Sequence, residues 1–198
     1  MAFQNIVFPN LKLIHGLKKS ALLPVSIVTN GSSEYRIARM RFDKFTWTYP
    51  GRVIMASDKL TLYNFYKTVH GATDSFKFAD PDYPAWTGET LTWSSGTYWS
   101  FNFPNSVDHP LFNYDSAMVV KKNGSTVTWA HTIVSGLPYL SIPSATSSDV
   151  ITVASGAIYL AARFDQAMSW SLEALDTSNK PYIVNLDNLT LQEVFEHA

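Results

Sequence analysis

The chain has 198 residues, of which 46% are hydrophobic and 16% charged, with a formal net charge of -1 and no cysteine. The apolar content supports a true core and excludes disorder, the near-zero charge gives no global pull toward nucleic acid or membrane, and the lack of cysteine excludes disulfides, thiolate metal sites and cysteine nucleophiles. The charged fraction lies below the roughly 25% usual for soluble domains, as expected if neighbouring subunits cover part of the surface. Met-Ala-Phe-Gln-Asn at the start has no basic segment followed by an apolar run, so no signal peptide is expected. No apolar run approaches the roughly 18 residues of a membrane span.

Residues 3 to 20 read as irregular, broken by Pro9 and Gly16, with a short strand at Leu11 and Leu13. Met1 to Phe8 is either an arm that docks on a neighbour or an ordinary frayed terminus. Leu23, Val25 and Ile27 alternate as a half-buried strand, and Asn30-Gly31-Ser32-Ser33 is a turn. The next run is apolar at Ala38, Met40 and Phe42, and the one after it at Phe45, Trp47 and Tyr49. Parity switches at Asp43-Lys44, which demands a bulge or a sharp bend.

Ser57 to His70 reads as the one helix, with Ser57 as N-cap and Asp58 at the positive end of the dipole. Leu62, Phe65, Tyr66 and Val69 share its buried face, and Gly71 stops it. Phe76 and Phe78 alternate into a turn at Asp80-Pro81-Asp82. From Tyr83 to about Gly156 the texture becomes Ser, Thr, Gly and aromatics in short alternating runs. Strands are expected at Leu91–Trp93, Trp99–Phe103 and Val150–Val153, with a hairpin from Val119 to Trp129 turning at Asn123-Gly124. Ile158 to Phe164 and Met168 to Ala174 then read as two antiparallel strands joined near Asp165-Gln166. Leu189 to Val194 fits a strand or a helical turn equally.

No set of residues reads as catalytic. His15, His70, His109, His131 and His197 have no metal-ligand spacing. Asp80-Pro81-Asp82 lacks the repeated carboxylates of a calcium loop. G-x-S-x-G, G-x-x-x-x-G-K-[ST] and G-x-G-x-x-G are absent from the sequence. No enzymatic activity and no cofactor are therefore expected.

Two clusters carry a functional reading. Trp86, Trp93, Tyr98, Trp99, Phe101 and Phe103 either stack on sugar rings or a protein partner, or form the core of the middle region. Trp86, Trp93 and Trp99 are the candidate residues of a peripheral binding surface. The basic run Arg36, Arg39, Arg41, Lys44 and Arg52 either pairs with a neighbouring subunit or is a solvated strand face. Glu34, Arg36, Arg39 and Arg41 are the candidate subunit-interface residues.

T-N-G-S-S-E-Y-R-I-A-R, Thr29 to Arg39, resembles the sG.E.R segment of the distal tail protein family of long-tailed phages and gene transfer agents. The aromatic strand Phe45 to Tyr49, the helix Leu60 to Gly71, the F-x-F turn Phe76 to Asp82 and Arg163-Phe164-Asp165 with the following alternating strand resemble its later segments in the same order. One departure is Leu17-Lys18-Lys19-Ser20, where members often carry glycine-rich segments.

The resemblance implies a mainly β fold: a tail-tube-like β-sandwich with one flanking α-helix at about 57–70. It also implies a discontinuous ring-forming domain of residues 1–84 plus 157–198, carrying a small all-β unit at 85–156 as an insertion. It implies a structural virion protein at the tail tip, made in the host cytoplasm. Six copies would form a ring joining the tail tube protein to the hub and baseplate proteins, with DNA passing through without specific binding and with no membrane segment. The alternative is a carbohydrate- or receptor-binding β module using the aromatic-rich middle.

Overall fold

A computed structural model describes residues 2–10, 16–22, 25–30, 33–38, 42–83, 85–106, 109–178 and 180–195. Among the described residues the fold is mainly β, with 51% in strands, 8% helical and one helix. The chain opens with β1 (Phe3–Val7), β2 (Lys18–Leu22), β3 (Val25–Asn30), β4 (Ser33–Ala38), β5 (Lys44–Tyr49), β6 (Arg52–Met55), α1 (Ala56–Thr68) and β7 (Ser75–Phe78). Next come β8 (Ala85–Trp86), β9 (Glu89–Thr90), β10 (Trp93–Ser95), β11 (Tyr98–Ser100), β12 (Asn113–Tyr114), β13 (Val119–Lys122), β14 (Ser125–Thr126), β15 (Ala130–Val134) and β16 (Leu137–Ser141). It closes with β17 (Ile151–Phe164), β18 (Trp170–Leu175), β19 (Pro181–Leu186) and β20 (Leu189–Glu193). Two compact units result: Met1–Phe78 with Ala161–Glu196, and Ala79–Leu160. The sequence placed the corresponding boundaries at 84/85 and 156/157.

In the first unit the main sheet has the order β1-β7-β17-β20-β5-β2. The N-terminal segment is not a frayed end: it forms β1 and pairs β7 of its own unit. Phe3 and Gln4 pair in parallel with Ser75 and Phe76, and the Phe8 amide donates to the Lys77 carbonyl at 2.8 Å. The Phe8 ring lies 5.6 to 6.2 Å from those of Phe65, Phe76, Phe78, Tyr49 and Phe164. Aromatic side chains bury large areas, so this ring cluster, with Trp47 against Phe78 at 4.6 Å, is the centre of the first unit's core. Glu193, 1% exposed, accepts the Phe45 amide at 2.8 Å and ties the end of β20 to the start of β5.

The parity switch at Asp43-Lys44 has a simple physical solution. The chain does not bulge within one strand. Among the described residues β4 pairs β3, while β5 joins the main sheet, and Phe42 lies in a bend before β5. Leu11, Leu13, Leu23, Gly31, Ser32 and Met40, named above in expected strands and a turn, lie outside the described residues.

The helix starts at Ala56 rather than Ser57, with Met55 as N-cap and no side-chain cap. Its C-terminus is a Schellman closure: the Gly71 amide donates to the Tyr66 carbonyl at 2.8 Å and the His70 amide to that of Lys67 at 3.1 Å. His70 takes the first left-handed position, at φ 52, and Gly71 the next, at φ 69. Leu62 and Val69 are fully buried, and Phe65 and Tyr66 are half-buried.

The C-terminal strands pair differently from expectation. β17 and β18 are not a hairpin. β17 pairs β20 through Ala162–Glu193 and Phe164–Leu191, whereas β18 pairs β19 in a separate sheet of order β18-β19-β6. Asp165 to Ser169 contains no two-residue turn signal, and the Asp165 amide still donates to the Thr190 carbonyl, which holds the chain on β20 past the end of β17. Leu189 to Glu193 is a strand.

The second unit is all β. A four-stranded sheet has the order β10-β11-β16-β15. β13 and β14 form the expected hairpin, with Asn123 at φ 50 and Gly124 at φ 88, as a type I′ turn requires. Residues of β17 from Ile151 to Tyr159 pair β13, β9, β8 and β12. The expected separate strands at Val150–Val153 and Ile158–Phe164 are therefore one strand. Phe101, Leu111, Leu140, Ile142, Ile151 and Ile158 are fully buried.

Candidate functional site

Glu34 and Arg36, two of the residues proposed for a subunit contact, lie in β4, where the backbone pairs Thr29 with Glu34 and Ile27 with Arg36. Arg39 and Arg41 lie outside the described residues. The structure does not bring the three tryptophans onto one surface. Trp86 and Trp99 are 3% and 2% exposed, and only Trp93, at 41%, is open. Trp86 stacks on Phe101 at 5.8 Å, and Trp99 sits on the central strand β11 opposite Leu140. Large aromatics satisfy burial before they serve a surface. Phe101 and Phe103 are likewise core residues.

Trp93 lines a groove of about 390 Å³ in the second unit. Its indole N–H donates to the Gly96 carbonyl at 3.1 Å, which fixes the ring against the β10–β11 turn. Facing it are Glu89, Ser100, Asn102, Asn105 and Ser106. The Glu89 carboxylate accepts the Asn105 amide at 3.3 Å, the Ser100 hydroxyl donates to the Thr92 carbonyl at 3.0 Å, and the Ser106 hydroxyl accepts the His109 amide at 3.1 Å. No lysine, arginine or histidine is among the described lining residues.

The first unit presents a different surface. Of the exposed large hydrophobic residues among those described, Val53, Met55, Leu172, Leu175 and Tyr182 lie on the strands of the β18-β19-β6 sheet. They do not share one face of the sheet, because Leu172 pairs Val184 and Val184 pairs Ile54, on the side opposite Val53 and Met55. Ile54 is buried between Val53 and Met55, so the latter two share the outer face of β6, and Ile183 pairs with Met55 on that face. Register shifts between Leu172 and Ala174 and between Ala174 and Leu175 break the alternation of β18. Leu172, before the first shift, stands on the face of Val184, and the two leucines are 54% and 48% exposed. The sequence shows the apolar positions but not the shifts.

A third arrangement anchors the N-terminal strand. Asp74, 5% exposed, accepts from His70 Nδ1 at 2.7 Å, from the Ala2 amide at 2.9 Å and from Gln4 Nε2 at 3.0 Å. The His70 hydrogen bond, then the Ala2 amide and then Gln4 lower its pKa from 3.8 to about 2. A carboxyl depressed on folding contributes stability above its unfolded value and loses it as pH falls through the folded one. The anchor should therefore hold at neutral pH and weaken between about pH 4 and pH 2. Asp74→Asn removes the charged acceptor. We expect faster hydrogen exchange of the β1 amides, with protection in β5 and β20 unchanged, measured by mass spectrometry at neutral pH. The sequence missed Asp74, since it is followed by Ser75 in what reads as an ordinary turn.

Among the described residues no group of three or more His, Asp or Glu side chains could hold a metal ion, and no helix is long and apolar enough to cross a membrane. His15 and His197 lie outside the described residues. Asp80 of the Asp80-Pro81-Asp82 segment accepts the Asp82 amide through its side chain at 3.0 Å and the Tyr83 amide through its carbonyl at 3.0 Å, the bonding of a turn. In comparisons with known proteins, no family model matches the chain and no curated protein matches it.

Proposed function

We propose that the chain is a non-enzymatic structural subunit of a virus-like particle: a distal tail protein of a long-tailed phage or gene transfer agent. Six copies close into a ring at the tail tip. The ring joins the tail tube protein to the hub and baseplate proteins and leaves a channel through which DNA passes without specific binding. The observation that supports this reading best is the exposure of two apolar side chains, Val53 and Met55, side by side on the outer face of β6. Exposing Val53 and Met55 to water is unfavourable by roughly 25 cal/mol per Å², and a neighbouring subunit relieves it. A ring requires a heterologous interface that closes on itself. The low charge content and the net charge of -1 fit a conduit that lets DNA pass rather than holding it.

The reading is tested on self-association. Val53 is 61% exposed in the isolated chain, so Val53→Glu should leave the fold intact while placing a charge at the centre of the subunit contact. Disrupting a central interface residue costs about 2 kcal/mol or more, roughly thirtyfold in affinity. Sedimentation velocity should show assemblies for the wild type and dissociation for the variant, with matching circular dichroism. Equal association of the two would remove the sheet from the interface.

A further inference from the structure

We propose that the Trp93 groove is a binding site for a neutral oligosaccharide, a function separate from assembly and confined to the second unit. Three observations carry it. Trp93 is 41% exposed in the second unit, where Trp86 and Trp99 are buried and Trp129 is half-buried. Its indole N–H is already bonded to the Gly96 carbonyl, so the ring has its polar edge satisfied and is held in one orientation. A fixed aromatic face is the surface on which the C–H side of a pyranose packs, and little side-chain entropy is lost when it does. The groove, at about 390 Å³, is within the size range of small-ligand sites.

The polar lining sets the ligand class. Glu89, Asn102, Asn105, Ser100 and Ser106 supply carboxylate, amide and hydroxyl groups, the partners that sugar hydroxyls require. Glu89 and Ser106 are themselves held by the Asn105 and His109 amides, so part of this lining is ordered before a ligand arrives. A carboxylate without a lysine, arginine or histidine among the described lining residues repels an anionic ligand, because an unpaired acid on the sugar would face a like charge. Uronic, sialic and sulfated sugars are thereby disfavoured, and neutral or N-acetylated hexoses are favoured.

The test uses the full chain on a glycan array that carries neutral oligosaccharides (chitotetraose, maltotetraose, cellotetraose) beside anionic ones (oligogalacturonate, sialyllactose, sulfated disaccharides). Any neutral hit is then titrated by nuclear magnetic resonance, following the indole N–H signal of Trp93. The expected result is binding to at least one neutral glycan, a shift of that signal, a tenfold or greater loss in Trp93→Ala and partial retention in Trp93→Phe. Trp93→Ala is a change at an exposed residue, and an unchanged urea midpoint verifies its fold; if that variant is unstable, the Trp93→Phe titration and the indole shift decide the matter. Binding of anionic glycans only, binding that leaves the Trp93 signal in place, or no neutral glycan bound by the folded wild type overturns the proposal. Each of those outcomes leaves the Val53 assembly test unaffected, so the two readings fail separately.

Discussion

Phe164→Ala is expected to destabilise the first unit by about 3–5 kcal/mol. Phe164 is fully buried, and its ring lies 5.0 Å from Tyr66, 5.2 Å from Phe76, and 6.2 Å from both Phe8 and Phe65. It therefore meets the N-terminal segment, the helix and β7 at one point. Truncation removes the transfer free energy of the ring and leaves a cavity that these four rings fill only by leaving their rotamers. The loss is a large share of the roughly 5–15 kcal/mol that stabilises an ordinary domain. In urea the unfolding midpoint should fall by about 1–2 M. Phe164→Leu, which keeps much of the volume, should recover more than half of the loss. A midpoint unchanged by Phe164→Ala would mean that the aromatic cluster is not the centre of this core.

The second large effect is expected at Gly156. It lies inside β17 at φ +151, paired with Trp86 of β8. A Cβ there would come within 2.9 Å of Met118 Cβ and 3.0 Å of Met118 Cα. The Cα belongs to the backbone and cannot rotate away. Gly156→Ala thus combines an unfavourable conformation with a steric overlap, each costing about 1–3 kcal/mol. Gly88 separates the two contributions. It also has a positive φ, +91, but nothing lies within 4 Å of its Cβ position. Gly88→Ala should show the conformational part alone, and the difference between the two variants in a urea or thermal unfolding series measures the contact with Met118. Equal effects would show that Met118 moves aside freely.

Gly156 also shows where sequence reading stops. A glycine after Ser155 looks like a breaker, and two shorter strands were expected on either side of it. Within a strand, however, glycine equally marks a close approach of another backbone, and only the fold reveals Met118 opposite. The same limit applies to β18: its alternation is plain in the sequence, but pairing with β19 rather than β17 depends on Asp165 still bonding to Thr190. Elements set by local physics were legible. The Asn123-Gly124 hairpin follows from the φ values its turn demands, the helix body from the spacing of Leu62, Phe65, Tyr66 and Val69, and the break after Phe42 from the parity of its flanking strands.

The surfaces were less legible for a related reason. Trp86, Trp93 and Trp99 are chemically identical in the sequence, and their strand positions alone decide which one meets water. Which face of the β18-β19-β6 sheet each apolar residue takes depends on pairings and register shifts that no residue pattern announces. Asp74 became visible as an anchor only when the topology brought Ala2 and Gln4 beside it, more than sixty residues away along the chain.

Self-assembly is the claim on which the functional account rests, and the most direct measurement is electron microscopy of the purified full chain, supported by native mass spectrometry. The account predicts closed six-membered rings with a central channel for the wild type, and their loss in Val53→Glu. A chain that stays monomeric at every concentration examined, together with particles whose tail tips contain no ring of this subunit, would contradict it.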